Sequence, residues 1–319
     1  MEWKNNMSID RNLHSGLLQL FCVCCILMLA LPAEAQHLYV GSYNIRYKNE
    51  SDSLKGHEWN KRCQVICDQV NFESPDVWGA QEVLYSQLCD LLKGLDDYDY
   101  IGVGRDDGKQ KGEYAPIFYK KDRVRLLDSG HFWLNETPDV PKLGWDAACV
   151  RICTWGKFRD KRSSRTFYFF NLHMDHVGVV ARRQGALLVV ERIRQIAKSS
   201  PVILTGDFNV DQRDEIYSIF TGSGILKDSY QTTRIRFAEN GTFNNFKTQM
   251  KTQSRIDHVF VSPKITVDAY GVLTNGYWTL NKEAVKEQKD SGTPRETQPS
   301  PWIYRNPSDH YPVFVKLSL

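Results

Sequence analysis

The chain has 319 residues, of which 41% are hydrophobic, 12% aromatic and 25% charged. These are ordinary globular values, and the length admits one large α/β domain, or two small ones, with a core that needs no staples. A formal net charge of +3 excludes a strong overall field toward nucleic acid or membrane and leaves a small or mixed-charge substrate equally compatible.

At the N-terminus, Lys4 and Arg11 precede an apolar run from Leu17 to Leu31, and Ala33-Glu34-Ala35 supplies a small-x-small cleavage pattern. Residues 1–35 therefore read as a signal peptide and 36–319 as the mature domain, exported to the periplasm or medium after cutting near Gln36. An uncleaved anchor is the alternative, but the run is shorter than the roughly 20 residues of a membrane span. Lipid modification at Cys22 is disfavoured by the bulky Phe21 before it. Beyond this segment stand Cys63, Cys67, Cys89, Cys149 and Cys153. Their odd number argues against a complete disulfide framework, and small buried apolar side chains are the simpler reading.

Strand-like runs rich in Val, Ile, Phe and Tyr follow at 38–45, 77–81, 115–119, 167–172, 202–205, 258–261 and 313–317. Helical spacing appears over 58–72, around 85–92 and over 181–198, where Ala186, Val189, Val190, Ile193 and Ala197 share a face. This order predicts sheets covered by helices. Cys149 and Cys153 are expected on one face of a strand, and the polar stretch 275–306 is expected to be a long surface excursion.

The informative residues stand at the ends of these runs. In Leu204-Thr205-Gly206-Asp207-Phe208-Asn209, two-residue spacing aims Asp207 and Asn209 at one object; an ordinary turn is the plainer reading. Glu82 follows Val77–Gln81, where a carboxylate suits Mg2+ or Mn2+ or begins the next helix. Asn44 ends the first strand and alone says little. In Ser308-Asp309-His310, neighbouring side chains point to opposite faces, so one can hold a metal while His310, titrating near neutrality, meets the reacting phosphorus. Asp257 is the candidate to fix the His310 tautomer. His173 and Asp175 are expected on one face, His173 to donate to a phosphate oxygen; His176 and His258 read as ordinary polar positions. A zinc site fails on spacing, with neither HExxH nor paired CxxC, and no G-x-S-x-G elbow is present.

Taken in order, Asn44, Glu82, His173, Asp207-x-Asn209, Asp257 and Asp309-His310 make the chain from about His37 to Leu319 resemble the endonuclease/exonuclease/phosphatase superfamily of metal-dependent phosphoesterases. Gly102–Arg105, Gly112–Tyr114, Phe132–Pro138, Gly144–Asp146 and Arg151 look like a secreted bacterial branch with some likeness to deadenylases. The resemblance implies a four-layer α/β sandwich of two packed mixed sheets flanked by helices. It implies Glu82, Asp309 and Asn44 as metal ligands for Mg2+ or Mn2+, and Asp207, Asn209, His173, His310 and Asp257 as catalytic groups. Arg105, Tyr114, Arg151 and Asp175 are candidate substrate contacts.

The ester is less legible. The basic segments 109–125 and 157–165, interleaved with aromatics, make nuclease or phosphodiesterase action on nucleic acid the leading specific expectation. A sugar or inositol phosphomonoesterase, and a sphingomyelinase-like diesterase, are the alternatives; for the last, no apolar stretch stands out as a membrane wedge. A catalytically silent binding protein on the same scaffold is the non-enzyme alternative. No obligate protein partner is evident.

Overall fold

The computed structural model describes residues 37–281, 284–286 and 300–319. The expected signal peptide, residues 1–35, and part of the 275–306 excursion lie outside the described residues.

In chain order the elements are β1 (Leu38–Asn44), α1 (Glu50–Leu54), α2 (Trp59–Glu73), β2 (Val77–Gln81), α3 (Tyr85–Gly94), β3 (Tyr98–Ile101), β4 (Ile117–Lys120), β5 (Val124–Trp133), β6 (Ile152–Asp160) and β7 (Thr166–His173). They continue with α4 (Val179–Ala197), β8 (Val202–Asp207), α5 (Glu215–Thr221), β9 (Lys227–Asp228), α6 (Ser229–Thr232), β10 (Ile235–Phe237), β11 (Asp257–Val261), β12 (Thr266–Val272), β13 (Tyr277–Leu280), β14 (Trp302–Arg305) and β15 (Val313–Ser318).

Among the described residues, one sheet has seven strands in the order β10-β12-β15-β1-β2-β4-β3, and a second has six in the order β5-β6-β7-β8-β11-β9. Both are mixed: β1 runs parallel to β2 and β7 parallel to β8, each pair joined through a helical crossover, while most other neighbours are antiparallel. Such parallel pairs are covered on both faces, and β2 and β8 are accordingly buried at every position.

The sheets pack face to face around Val40, Phe158, Phe169, Ile203, Val259 and Val315. Ile66, Cys67 and Val70 of α2 and Leu88 and Leu91 of α3 cover the outer face of the first sheet. Ala186, Val189 and Ile193 of α4 and Ile216 and Phe220 of α5 cover the second. The result is the expected four-layer α/β sandwich.

Some local expectations change. Cys149 precedes β6 rather than lying in it, so it does not share a strand face with Cys153. All of Cys63, Cys67, Cys89, Cys149 and Cys153 are free thiols. The excursion after Asn275 is partly ordered: β13 and β14 pair as an antiparallel hairpin. That hairpin exposes Trp278, Leu280 and Trp302, an apolar face the sequence did not flag because the two strands are far apart in the chain. Among the described residues, no helix is long and apolar enough to cross a membrane.

Candidate active site

Register assembles the site. Asn44 lies beside Gln81, so Glu82 follows at the same end of the sheet. In the second sheet His173 lies beside Asp207 and Asp257 opposite it. Because β15 runs antiparallel to β1, with Ser42 opposite Val313, the residues entering β15 bring Asp309 and His310 beside Asn44. Groups more than two hundred positions apart thus meet at one edge of the sandwich.

Asn44 is the hub. Its amide nitrogen donates to Glu82 Oε1 at 3.0 Å and Asp207 Oδ2 at 3.0 Å, and stands 3.5 Å from His310 Nε2. Its oxygen accepts from the Arg46 backbone N–H at 3.0 Å. Asn44 meets the carboxylates as a donor in this arrangement, with its oxygen held by the Arg46 N–H. Glu82 also accepts from the Tyr47 N–H at 3.1 Å and holds a left-handed backbone at φ 61°, a conformation that costs a non-glycine residue energy and is found where a side chain must be re-aimed. Arg46 bridges the acids, its Nη1 lying 3.8 Å from Glu82 and 3.6 Å from Asp309.

His310 Nδ1 pairs with Asp257 Oδ2 at 2.8 Å, and its Nε2 lies 3.7 Å from Asp207. The pairing is the one expected from the sequence. Burial alone would lower the His310 pKa, but the charges of Asp257 and Asp207 outweigh it and raise it well above the ordinary value. Asp207 is pushed up by burial and by the nearby Asp257, and Asp309 by burial and by Glu82, against the pull of His310 and Arg46. His173 has the opposite character. Burial, then Arg151 and Arg105, lower its pKa well below normal, so it stands as a neutral imidazole with Nε2 3.5 Å from Asp207.

Asn209 has φ 51° and donates its amide to the Met174 carbonyl at 3.0 Å, which fixes the loop next to His173. Asp175 does not face the cluster as expected. Its two oxygens accept backbone N–H groups from Ala148, Cys149, Val177 and Gly178 and the Arg151 Nε–H at 3.3 Å. It is a loop anchor, because β7 ends at His173 and strand alternation ends with it. Tyr114 turns its hydroxyl to the Lys109 carbonyl while its ring, with Arg105 and Arg151, lines a recess beside His173. His258 is fully buried on the Val210 carbonyl.

Residues the sequence reading left unassigned include Arg46 and Glu113. Arg46 stands two residues after Asn44, and Glu113 lies within Gly112–Tyr114, which was the available signal. Arg62 and Asn171 carry no local signal for their partners.

The donor set fits a hard divalent cation. Ligand atoms of Glu82, Asp207 and His310 lie within 4.8 Å of one another, and Asp309 borders Glu82 closely enough to be raised by it. Buried acids that repel one another in this way are relieved by a cation with oxygen preference. Glu82 and Asp309, with Asp207 at hand, would hold it. When bound, such an ion neutralises charge developing on phosphoryl and leaving oxygens. The chain's own groups do the rest. His310 Nε2, with the ring held through Nδ1 by Asp257, would present a proton to a phosphate oxygen. Asp207 would offer an acceptor to an attacking water, and neutral His173 would offer its one N–H to the ester. This constellation is that of a metal-dependent phosphoesterase.

Comparison with known proteins agrees. Residues 41–310 match the model of the Endonuclease/Exonuclease/phosphatase family. The mannosyl-6-phosphatase of Bacteroides thetaiotaomicron is 47% identical and superposes with a TM-score of 0.81 over 88% of this chain and 100% of that one. An endonuclease/exonuclease/phosphatase of Bacteroides vulgatus is 38% identical, with a TM-score of 0.75 over 89% of this chain and 99% of that one. Human tyrosyl-DNA phosphodiesterase 2 is 25% identical over 165 residues, which is 51% of this chain and 41% of the human protein. The chain belongs to the endonuclease/exonuclease/phosphatase family and is a metal-dependent hydrolase of phosphate ester bonds.

Proposed function

We propose that the enzyme is a Mg2+- or Mn2+-dependent phosphomonoesterase acting on a hexose 6-phosphate, exported after cleavage near Gln36, with residues 36–319 forming the mature catalytic domain. The observation that carries the reading is end-to-end likeness, at 47% identity, to a mannosyl-6-phosphatase. The placement of the basic residues supports it. Arg159 pairs with Thr166 and Val124 with Asp160, at the end of the sheets away from Asn44, His173 and Asp207. Of the basic segments 109–125 and 157–165, the stretches 120–125 and 157–165 thus lie far from the chemistry, while Lys109 and Lys111 stand on the loop that leads to Glu113 and Tyr114. From Ile152 at the site end of β6 to Arg159 is seven residue steps along the strand, roughly 23 Å. A nuclease groove needs its cations along the path of the backbone it cleaves, so nucleic acid becomes the second choice.

The test is a metal-dependent panel of mannose 6-phosphate, glucose 6-phosphate, single-stranded DNA, polyadenylate and bis-p-nitrophenyl phosphate, comparing wild type with His310→Ala. Hydrolysis of hexose phosphates well above the others, abolished by chelator and by the variant, is expected. Efficient DNA or RNA cleavage with inert hexose phosphates would overturn the substrate assignment. N-terminal sequencing of the protein from an exporting host should begin near Gln36; a chain retained in the cytoplasm at full length refutes export.

A further inference from the structure

Beside His173 lies a recess lined by Arg105, Glu113, Tyr114, Ala115, Arg151 and Ile152. Two guanidinium N–H groups in its wall have no hydrogen-bond partner, Arg151 Nη1 and Arg105 Nε, the latter 3.9 Å from the Asp106 carboxylate, and His173 Nδ1 beside them is also without one. Arg151 is only 4% exposed and His173 9%, so these groups are almost wholly removed from solvent. An unpaired buried donor costs about 1–3 kcal/mol, and an aggregate of them in a single recess marks a place built to receive acceptors.

The remaining groups there are already paired. Arg151 Nε engages Asp175 at 3.3 Å and its Nη2 meets His176 Nδ1 at 3.0 Å. Arg105 grips Glu113 through two bonds of 2.6 and 3.0 Å. Glu113 in turn lies 3.9 Å from His173 Nδ1. A second phosphate in the recess would therefore face a carboxylate. A hydroxyl suits both partners: its oxygen accepts from a guanidinium while its hydrogen goes to the Glu113 carboxylate. The recess is one imidazole ring away from Asp207, because His173 Nε2 points to that acid while Nδ1 points to Glu113.

We infer that this recess, whose free volume of about 10 Å³ admits one water-sized group, binds a hydroxyl group of the alcohol half of the ester, with Arg151 and Arg105 donating and Glu113 accepting, and so selects a polyol leaving group. The inference rests on the hexose-phosphate reading. A site built to hydrogen-bond a substrate hydroxyl discriminates strongly against an analogue that lacks it.

The experiment compares kcat/KM for mannose 6-phosphate and for p-nitrophenyl phosphate, which has no sugar hydroxyls, in wild type, Glu113→Gln and Arg151→Lys. The ratio of the first to the second should fall at least tenfold in both variants. An unchanged ratio, whether or not both rates drop together, overturns the inference, since it would mark groups acting on phosphate or scaffold. Arg151 also anchors Asp175, so Glu113→Gln, which keeps the side-chain shape, decides the matter if Arg151→Lys unfolds. If wild type cleaves no hexose phosphate, the functional reading fails separately. Inhibition of bis-p-nitrophenyl phosphate hydrolysis by free mannose, lost in Glu113→Gln, would then still support the recess, and no inhibition of wild type would overturn it.

Discussion

Arg62 offers a sharp test of how the site is held. It is completely buried on α2, and no carboxylate forms an ion pair with it among the described residues. Its guanidinium instead donates to backbone carbonyls of His57 at 2.9 Å, Ile45 at 2.8 Å, Pro307 at 2.9 Å and Arg46 at 3.2 Å. Ile45 and Arg46 lead into the Tyr47 N–H that holds Glu82, and Pro307 precedes Ser308-Asp309-His310, so one side chain ties the loop that positions Glu82 to the loop that carries Asp309. Replacing it by Met leaves those carbonyls without a charged donor, a loss of about 1.5–3 kcal/mol for each bond taken alone, partly offset because a costly buried charge also disappears. The net expectation is a loss of about 3 kcal/mol in urea unfolding. Loop displacement of about 1 Å should lower kcat roughly 100-fold, measured on p-nitrophenyl phosphate where the variant is still folded. Arg62→Lys keeps the charge but not the fork geometry and should recover less than half of either loss. A Met variant within about 1 kcal/mol of wild type and with normal kcat would refute the clasp.

Other outcomes follow from the same geometry. Glu82→Gln should keep the fold yet lower metal-dependent turnover by about 100-fold or more, and isothermal titration should show weakened Mn2+ binding; unaltered affinity would remove Glu82 from the ligand set. Adding Mg2+ or Mn2+ to chelator-treated enzyme should raise Tm, by an amount equivalent to about 2.7 kcal/mol at one hundred times Kd; a flat Tm would argue against a cation in the acid cluster. Burial would raise the Asp175 pKa, but the N–H groups of Gly178, Val177 and Ala148, with Arg151, win and hold it at about 2. Its stabilising effect is therefore complete above the ordinary carboxylate value near pH 4 and is lost as pH falls toward 2. Asp175→Asn should be less stable at pH 7 by up to roughly 2 kcal/mol, with the difference shrinking in acid; a constant difference across that window would refute the assignment.

The sequence displays the buried parallel strands and the acids at their ends, because both leave local signatures: continuous apolar runs and a polar residue just past them. Helix α2 is expected at 58–72 and found at Trp59–Glu73, and α4 is expected at 181–198 and found at Val179–Ala197. What it conceals depends on partners far along the chain. Arg62 meets Pro307 across 245 positions, and a lone arginine in a helix reads as surface. Glu113 looks like loop polarity until Arg105 and His173 are placed around it. Asp175 misleads for a local reason: two-residue alternation is projected past the last residue of β7. The basic segments are a global case, since their composition is visible in the sequence while the end of the sheet that 120–125 and 157–165 occupy is not.

The same distinction explains why a cluster of mutually repelling acids can persist at the edge of an apolar sandwich. Just beneath it the inter-sheet layer turns polar. Asn171 of the second sheet reaches across, donating to the carbonyls of Ala80 and Pro116 at 2.7 and 2.9 Å and accepting from Gln81 at 2.7 Å and Thr205 at 3.0 Å. Gly79 makes the crossing possible, as a Cβ there would lie 2.2 Å from the Asn171 oxygen. Hydrophobic packing between sheets is non-directional and tolerates sliding, whereas these bonds admit one register. That register sets Asn44 and Glu82, from one sheet, against His173 and Asp207, from the other. The crowding of charge is therefore imposed by directional bonds one layer below, and a bound cation is what that imposed crowding favours.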